Sequence, residues 1–374
     1  MTRAVVASIA AASLLAACGD TTTEVSDGRG RVVLEVVATG SGRVLDSGRV
    51  HLEGPTPQEL SATPGTTVTI EQLNPGSYTL TLEGFVGNEV ERFGRTTGVE
   101  VRAGQTTAPT VAFNLFQPVF DPVTLSDDAA NLRVAFPAVP GADSYRVEVD
   151  TTTAFATASA QVLTGTSADF AVLRFGPHFI RARAFDVYEE SGVLTPAKTA
   201  TVHRLLAFPD QDGWVENDGG AFNLGAVTFV GDNGVGVVAR SFFSFDLSTI
   251  AAAEEVHGAV MRIFQIAIQG DPYGGLGGGI TVDHLDYSPA LDDTDYGLAP
   301  FTADIGTISS VSDTAYKSLP VTTQVQADRT AGRSASQFRI RFPVEDDADG
   351  AADFVVIYTA EKVDTVPELV VVSE

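Results

Sequence analysis

Short runs of β-branched and aromatic residues recur along most of the chain, and they constrain its fold more than any other feature. Residues 31–38 read Arg-Val-Val-Leu-Glu-Val-Val-Ala, residues 76–82 read Gly-Ser-Tyr-Thr-Leu-Thr-Leu, and residues 354–358 read Phe-Val-Val-Ile-Tyr. Turn pairs such as Pro64-Gly65 separate these runs, which is typical of short antiparallel strands. No run has the length and period of a long helix. The sequence therefore predicts an all-β chain of antiparallel β-sandwiches.

One run also predicts which way its side chains point. Residues 337–342 read Gln-Phe-Arg-Ile-Arg-Phe, and successive side chains of a strand point to opposite faces of its sheet. The apolar side chains are expected inside the core and the two arginines outside it: Phe338, Ile340 and Phe342 inward, Arg339 and Arg341 outward.

The N-terminus has the pattern of an export signal. Arg3 precedes an apolar run over residues 4–15, which is too short to cross a bilayer as a helix. Residues 15–18, Leu-Ala-Ala-Cys, resemble the lipobox of bacterial lipoproteins. This resemblance implies cleavage before Cys18, acylation of that cysteine by lipid such as palmitate, and permanent anchoring, because several acyl chains are buried. The alternative is an ordinary signal peptide with an incidental cysteine.

The residue after the cysteine bears on the destination. In enterobacterial lipoproteins an aspartate at this position favours retention in the inner membrane, whereas this chain has Gly19 there. The resemblance therefore implies a lipid-anchored protein of the cell envelope, at the outer membrane or the cell surface.

The charge balance excludes one class of partner. The chain has 48 acidic and 23 basic residues and a formal net charge of −25. Such a surface repels nucleic acid and anionic lipid headgroups, so no nucleic-acid partner is expected. Cys18 is the only cysteine, so each domain must be stable without an intrachain disulfide.

Breaks rich in turn residues and changes in composition predict three tandem sandwiches within the 374 residues. The predicted boundaries are 1–17 for a cleaved signal peptide, 18–30 for the lipidated cysteine and a flexible tether, and 31–116, 117–204 and 205–374 for the three sandwich domains.

The first two predicted domains resemble modules that act mainly as spacers. Residues 73–80 read Leu-Asn-Pro-Gly-Ser-Tyr-Thr-Leu and resemble the Pro-Gly-x-Tyr step of carboxypeptidase-regulatory-like and prealbumin-like modules. Residues 132–149 contain Pro-Gly-Ala-Asp-Ser-Tyr-Arg-Val-Glu-Val and resemble fibronectin type III. Phe136 takes the place of the usual tryptophan, Tyr145 opens the next strand, and Phe179 stands where a tyrosine is common. These resemblances imply sandwiches that extend the chain.

The third predicted domain resembles the disaggregatase-related (DNRLRE) domains. Residues 240–250 read Arg-Ser-Phe-Phe-Ser-Phe-Asp-Leu-Ser-Thr-Ile, and a strand pattern follows at residues 256–264. Residues 319–326 resemble a later strand and turn of that family. The resemblance implies an extracellular β-sandwich, and some members of the family bind polysaccharides such as alginate.

A cluster of carboxylates near the C-terminus is a candidate calcium site. Glu345, Asp347 and Asp349 occupy alternating positions, and Asp353 follows at the ninth position of the run. Calcium takes six to eight oxygen ligands and suits a turning loop. Val356 stands where an EF-hand has its bidentate glutamate. The alternative is an acidic hairpin loop whose charges are simply solvated.

Four aromatic residues in polar settings are candidates for glycan binding, because sugar faces stack on aromatic rings. They are Trp214, Tyr273, Tyr287 and Tyr296. The alternative is that these rings are half-buried residues of the sandwich.

No catalytic motif accompanies these candidates. The histidines are scattered singly without metal-ligand spacing, and no Gly-x-Ser-x-Gly elbow is present. The sequence predicts a non-catalytic envelope lipoprotein whose last sandwich binds extracellular polysaccharide. Two alternatives stay open: a structural or adhesion lipoprotein that binds another surface protein and, more remotely, a hydrolase or lyase acting on polysaccharide.

Overall fold

The computed structural model describes residues 28–36, 43–287 and 290–374. Cys18, its lipobox and most of the predicted tether lie outside the described residues. The described part consists of strands with only short helices, which confirms the all-β class. The chain divides into two compact units: the described residues up to Val86 together with Phe93–Phe113, and Gly87–Arg92 together with Asn114–Glu374.

The strands of the first unit form two sheets. They are β1 (Gly30–Glu35), β2 (Ser47–Glu53), β3 (Gln58–Ala62), β4 (Thr67–Leu73), β5 (Gly76–Val86), the part of β6 (Glu89–Val101) from Phe93 onward, and β7 (Thr106–Thr107). One sheet has the order β4-β1-β7, and the other contains β3-β2-β5-β6. Val32 and Leu52 belong to the core that these strands enclose. Tyr78 of the Pro-Gly-x-Tyr step is buried there, and its hydroxyl donates to the Asn74 carbonyl at 2.7 Å.

The second unit begins with the region that resembles fibronectin type III. Its strands are β8 (Asn114–Leu115), β9 (Thr124–Leu125), β10 (Asn131–Ala135), β11 (Ser144–Asp150), β12 (Ser159–Leu163), β13 (Ser167–Ala171), β14 (Gly176–Phe185) and β15 (Lys198–Leu206). One sheet has the order β13-β10-β9, and β12-β11-β14-β15 begin a larger one. Phe136 packs on Tyr145 with their ring centroids 4.8 Å apart, and the Tyr145 hydroxyl accepts a hydrogen bond from the Val139 amide.

The rest of the second unit contains eleven strands and three short helical segments. The strands are β16 (Gly213–Glu216), β17 (Ala221–Phe222), β18 (Val227–Asp232), β19 (Val238–Asp246), β20 (Val256–Gln269), β21 (Ile280–Leu285), β22 (Thr302–Ser309), β23 (Ala315–Pro320), β24 (Ala335–Arg341), β25 (Asp353–Tyr358) and β26 (Glu368–Ser373). The helical segments are α1 (Pro272–Gly275), a 3₁₀ turn (Asp293–Gly297) and α2 (Thr322–Thr330).

A strand pairing joins the two parts of the second unit. Strand β15 pairs with β26 along six residues, from Thr201 opposite Ser373 to Leu206 opposite Glu368. The sheet then continues in the order β26-β20-β25-β18-β19-β24-β21-β22. The boundary expected between residues 204 and 205 falls inside β15. The division into three separate sandwiches stays a prediction.

The orientation predicted for residues 337–342 is half right. Phe338, Ile340 and Phe342 are buried, as their spacing indicates. They belong to a cluster that also contains Val325 and Val371 and that we call the main core. Arg339, however, is only 4% exposed. Its face of the sheet is covered by the 3₁₀ turn and by a second cluster, so the sheet is buried on both faces there. We call this cluster the smaller core cluster; its members are Val215, Phe242, Leu285, Tyr287 and Leu291.

Residues 319–326 also differ from the prediction. The expected strand ends with β23 at Pro320, and α2 begins at Thr322. The helix places Val325 in the main core, and Asp328 of the same helix is also buried. Within the described ranges, no helix has the length and apolar character needed to cross a membrane.

Candidate functional site

The fold engages two of the predicted glycan-binding rings in packing. Trp214 on β16 is half-buried, stacks on Phe222 at 4.6 Å between ring centroids, and donates its indole N–H to Glu216 at 3.0 Å. Tyr273 in α1 packs edge-on against Phe342, and its hydroxyl donates to the Gln265 side chain at 2.6 Å.

The other two rings lie at the smaller core cluster, where Tyr287 is a member and Tyr296 packs against it. Tyr287 is only 3% exposed, and its hydroxyl donates to the Gln211 carbonyl at 2.7 Å. Tyr296 is half-buried, and the Arg240 guanidinium lies 4.0 Å from its ring centroid. The structure therefore does not bring these four aromatics together on one exposed platform, and their role in glycan binding stays a prediction.

Tyr287 nevertheless lines a groove, which we call the strand-end groove. Strands β19 and β21 end there and β24 begins there, with Asp246 paired to Ala335 and Leu285 to Gln337. Its volume is about 580 Å³. The lining consists of Phe208, Gln211, Asp246, Ser248, Asp286, Tyr287, Gly332, Arg333, Ser334, Ala335 and Gln337.

The polar groups of the strand-end groove are held in fixed orientations. Arg333 forms an ion pair with Asp328 at 2.9 Å, lies 3.6 Å from Asp286, and stacks over the Phe301 ring. The Gln337 side chain accepts from the Tyr287 amide at 2.7 Å. Asp286 itself is exposed, so its carboxylate is available to a ligand in the groove.

A buried carboxyl group follows Gln211, one of the residues that line the groove. Asp212 is fully buried, and its Oδ2 accepts from the Ala360 amide at 2.7 Å. Its Oδ1 has no hydrogen-bond partner within the described ranges. Burial raises the pKa of Asp212 to about 7, against the hydrogen bond from Ala360, which lowers it. Its negative charge also helps raise the pKa of Tyr287, after the larger effect of burial.

At the opposite end of β19, three carboxylates converge. Asp232 ends β18 and pairs directly with Asp353, which begins β25. Asp347 reaches them from residues 342–352, which we call the acidic loop. One carboxylate oxygen from each of the three lies within 4.8 Å of the others. We call this group the aspartate triad.

The triad contains only half of the predicted calcium ligands. Glu345 lies apart, because both of its carboxylate oxygens are bound by Arg240 at 2.6 and 2.8 Å. Asp349 is exposed and accepts from the Ala351 amide. Asp347 and Asp353 remain, and Asp232 joins them. The sequence did not predict Asp232 as a ligand. The one local pattern that marks it is the Asp-Asn-Gly turn at residues 232–234, which separates two strand-like runs.

The arginines near these sites are neutralised by carboxylates of the same chain. Arg240 is paired with Glu345, Arg262 with Glu368, and both Arg339 and Arg341 with Asp283. Because each guanidinium already has a carboxylate partner, these four arginines do not form a cationic surface.

No family model matches the chain. No curated protein matches it either. Among solved structures, it is similar to the FN1–FN3 domains of chicken CNTN1 at 12% identity and a TM-score of 0.20, covering 41% of this chain and 55% of that one.

Two further structures have similarly low scores. A DUF3823 family protein from Bacteroides ovatus matches at 10% identity and a TM-score of 0.20, with 46% of this chain and 97% of that chain covered. A SusE-like protein matches at 13% identity and a TM-score of 0.24, with 68% and 96% covered. Because these scores are low, no family or function passes from these structures to this chain.

Proposed function

We propose that the protein is a non-catalytic lipoprotein of the cell envelope that binds a neutral polysaccharide in the strand-end groove. The observation that carries this proposal is the combination, in one groove, of ring surface with oriented polar groups. Phe208 supplies half-buried ring surface, Asp286 supplies acceptor oxygens and Arg333 supplies donors. Saccharide sites need both, because a sugar has apolar C–H faces and a rim of hydroxyls.

Charge favours a neutral ligand over an acidic one. The chain carries a formal charge of −25, and the groove contains two aspartates beside one arginine that is already paired with Asp328. Such a groove repels uronate and sulfate groups, whereas carboxylates accept hydrogen bonds well from sugar hydroxyls. A neutral ligand would differ from alginate, the acidic polysaccharide that some members of the DNRLRE family bind.

The lipobox resemblance supplies the location. An acylated Cys18 would hold the chain at the membrane, with the strand-end groove near the far end of the sequence. Replacing the cysteine (Cys18→Ser) should move the protein from the membrane fraction to the soluble fraction of exporting cells. A Cys18→Ser protein that stays with the membrane would contradict the anchor.

Affinity electrophoresis with the unlipidated chain (Cys18→Ser) tests the binding function. Gels containing single neutral or acidic polysaccharides are compared with a gel without polysaccharide. We expect retardation by at least one neutral polysaccharide, less by acidic ones, and no release of reducing ends during incubation. Passage through every gel without retardation would refute the glycan function, and release of reducing ends would favour the hydrolase alternative.

A further inference from the structure

The aspartate triad has a built surround. Gly270 adopts φ +68°, a conformation that favours glycine, and a Cβ there would overlap Oδ1 of Asp353. A Cβ at Gly275 would overlap Oδ2 of Asp347. Both carboxylates therefore lie directly against glycine backbone, which lets them approach each other closely.

Each carboxylate of the triad is oriented by a backbone amide through its Oδ1 atom. The Gly234 amide donates to Asp232 at 2.7 Å, the Asp271 amide donates to Asp353, and the Asp349 amide donates to Asp347 at 3.2 Å. With Oδ1 held in this way, Oδ2 of each side chain is the atom left for another ligand.

One of these oxygens is buried without any partner. Asp232 is only 2% exposed, and its Oδ2 makes no hydrogen bond with any described residue. A carboxylate oxygen without a partner in the interior of a protein destabilises the fold unless a cation or proton compensates it. This orphaned atom is a feature that a merely solvated acidic loop would not have.

Among the described residues, the triad lacks a basic partner. In the described part of the chain, none of the three aspartates forms an ion pair with a lysine, arginine or histidine. Three carboxylates this close together repel one another and favour uptake of a cation.

We propose that Asp232, Asp347 and Asp353 bind one Ca²⁺ ion. Calcium–oxygen distances of about 2.3–2.6 Å place ligand oxygens up to roughly 5 Å apart across the ion, and the triad fits within that span. The ligand set contains only hard oxygens and neither histidine nor cysteine, which favours calcium over zinc. Water and backbone carbonyl groups complete the coordination.

Calcium binding would connect three separate parts of the fold. Asp232 ends β18, Asp353 begins β25 and follows the acidic loop, and Asp347 lies within that loop beside α1. An ion shared by the three carboxylates would fix the loop to the sheet. This site lies at the opposite end of β19 from the strand-end groove, so its test does not depend on glycan binding.

The test uses the unlipidated chain (Cys18→Ser), with calcium binding measured by titration calorimetry and melting measured in Ca²⁺ or EDTA. We expect a Kd of about 10⁻⁴ to 10⁻³ M and a melting temperature raised by roughly 2–9 °C at about 5 mM Ca²⁺. The same concentration of Mg²⁺ should give a smaller rise, because Mg²⁺ requires shorter bonds and sheds water reluctantly.

Three single variants identify the ligands. Asp232→Asn should abolish the calcium-dependent rise in melting temperature. In EDTA its melting temperature should equal or exceed that of the parent chain, because the variant removes a buried charge that has no partner. Asp347→Asn should also abolish the response. Asp349→Asn is the matched control in the same loop and should keep it.

Absence of calorimetric heat and of any melting shift in Ca²⁺ would overturn the proposal. So would an Asp232→Asn or Asp347→Asn chain that responds to Ca²⁺ as the Asp349→Asn control does. An equal response to Mg²⁺ would overturn the assignment to calcium.

Discussion

Arg240 and Glu345 form a two-bond ion pair between β19 and the acidic loop, with Nε–Oε1 at 2.6 Å and Nη2–Oε2 at 2.8 Å. The same guanidinium lies over the Tyr296 ring and donates to the Tyr296 carbonyl. Glu345 therefore fixes the start of the acidic loop and links the loop to the smaller core cluster.

Replacing that carboxylate should destabilise the fold. Glu345→Gln keeps the size of the side chain but removes the charge opposite a mostly buried guanidinium, whose side chain is 16% exposed. We expect a loss of roughly 1–3 kcal/mol in the free energy of unfolding, measured by denaturant titration. Asp349→Asn in the same loop should change it by less than about 0.5 kcal/mol. Equal effects of the two variants would show that the ion pair contributes little.

Asp212 should make the stability of the second unit depend on pH. Its pKa is about 7 in the folded chain, against about 3.9 for an unfolded aspartate. Below pH 4 both states are protonated. Between pH 4 and 7 Asp212 ionises in the unfolded state but stays protonated in the folded state, so the free energy of unfolding falls as pH rises. The total loss reaches about 4 kcal/mol above pH 7.

The variant Asp212→Asn tests this dependence, because an amide resembles the protonated carboxyl group at every pH. It should match the parent chain near pH 4 and exceed its melting temperature at pH 8. Asp218→Asn, at an exposed position nearby, is the control and should follow the parent at both pH values. A difference between Asp212→Asn and the parent that is the same at pH 5 and pH 8 would contradict the burial of an ionisable Asp212.

The pairing of β15 with β26 should make both parts of the second unit unfold together. Val371 lies opposite His203 in that pairing and is fully buried in the main core. We expect Val371→Ala to cost about 2 kcal/mol and to speed amide hydrogen exchange in β14 and β15 as well as in β26. Val162→Ala on β12, at a side chain 73% exposed, is the control. Faster exchange confined to β26 would indicate that the two parts unfold independently.

The parts of the fold that follow from local pattern could be predicted from the sequence. Strand runs bounded by turn residues predicted the all-β class, and a two-residue period predicted that Phe338 and Ile340 face the core. Both depend only on neighbouring residues. The burial of Arg339 could not be predicted, because it depends on residues 293–298, which cover that face from a distant part of the sequence.

The sites depended on long-range pairing even more strongly. Asp232 meets Asp353 because β18 pairs with β25, and nothing in either local sequence specifies that partner. Glu345 has the sequence spacing of a calcium ligand, but in the fold its carboxylate is bound by Arg240, which is distant in sequence. Tyr287 looked like a loop residue because its run is polar, yet it is held in the smaller core by the Gln211 carbonyl and the Phe242 ring.

The central claim is that the strand-end groove binds a neutral glycan, and the exposed carboxylate of Asp286 tests it most directly. Titration calorimetry would measure the affinity for oligosaccharides of a polysaccharide that retards the protein in the gel. The unlipidated chain would be compared with two variants, each of which lacks one carboxylate and keeps the fold stability of the parent. We predict that Asp286→Ala weakens binding about tenfold or more, since a charge-assisted hydrogen bond contributes roughly 1.5–3 kcal/mol. Asp293→Ala, which removes an exposed carboxylate outside the groove, should bind as the parent does. Unchanged affinity in Asp286→Ala, or equal losses in both variants, would contradict the assignment of the groove.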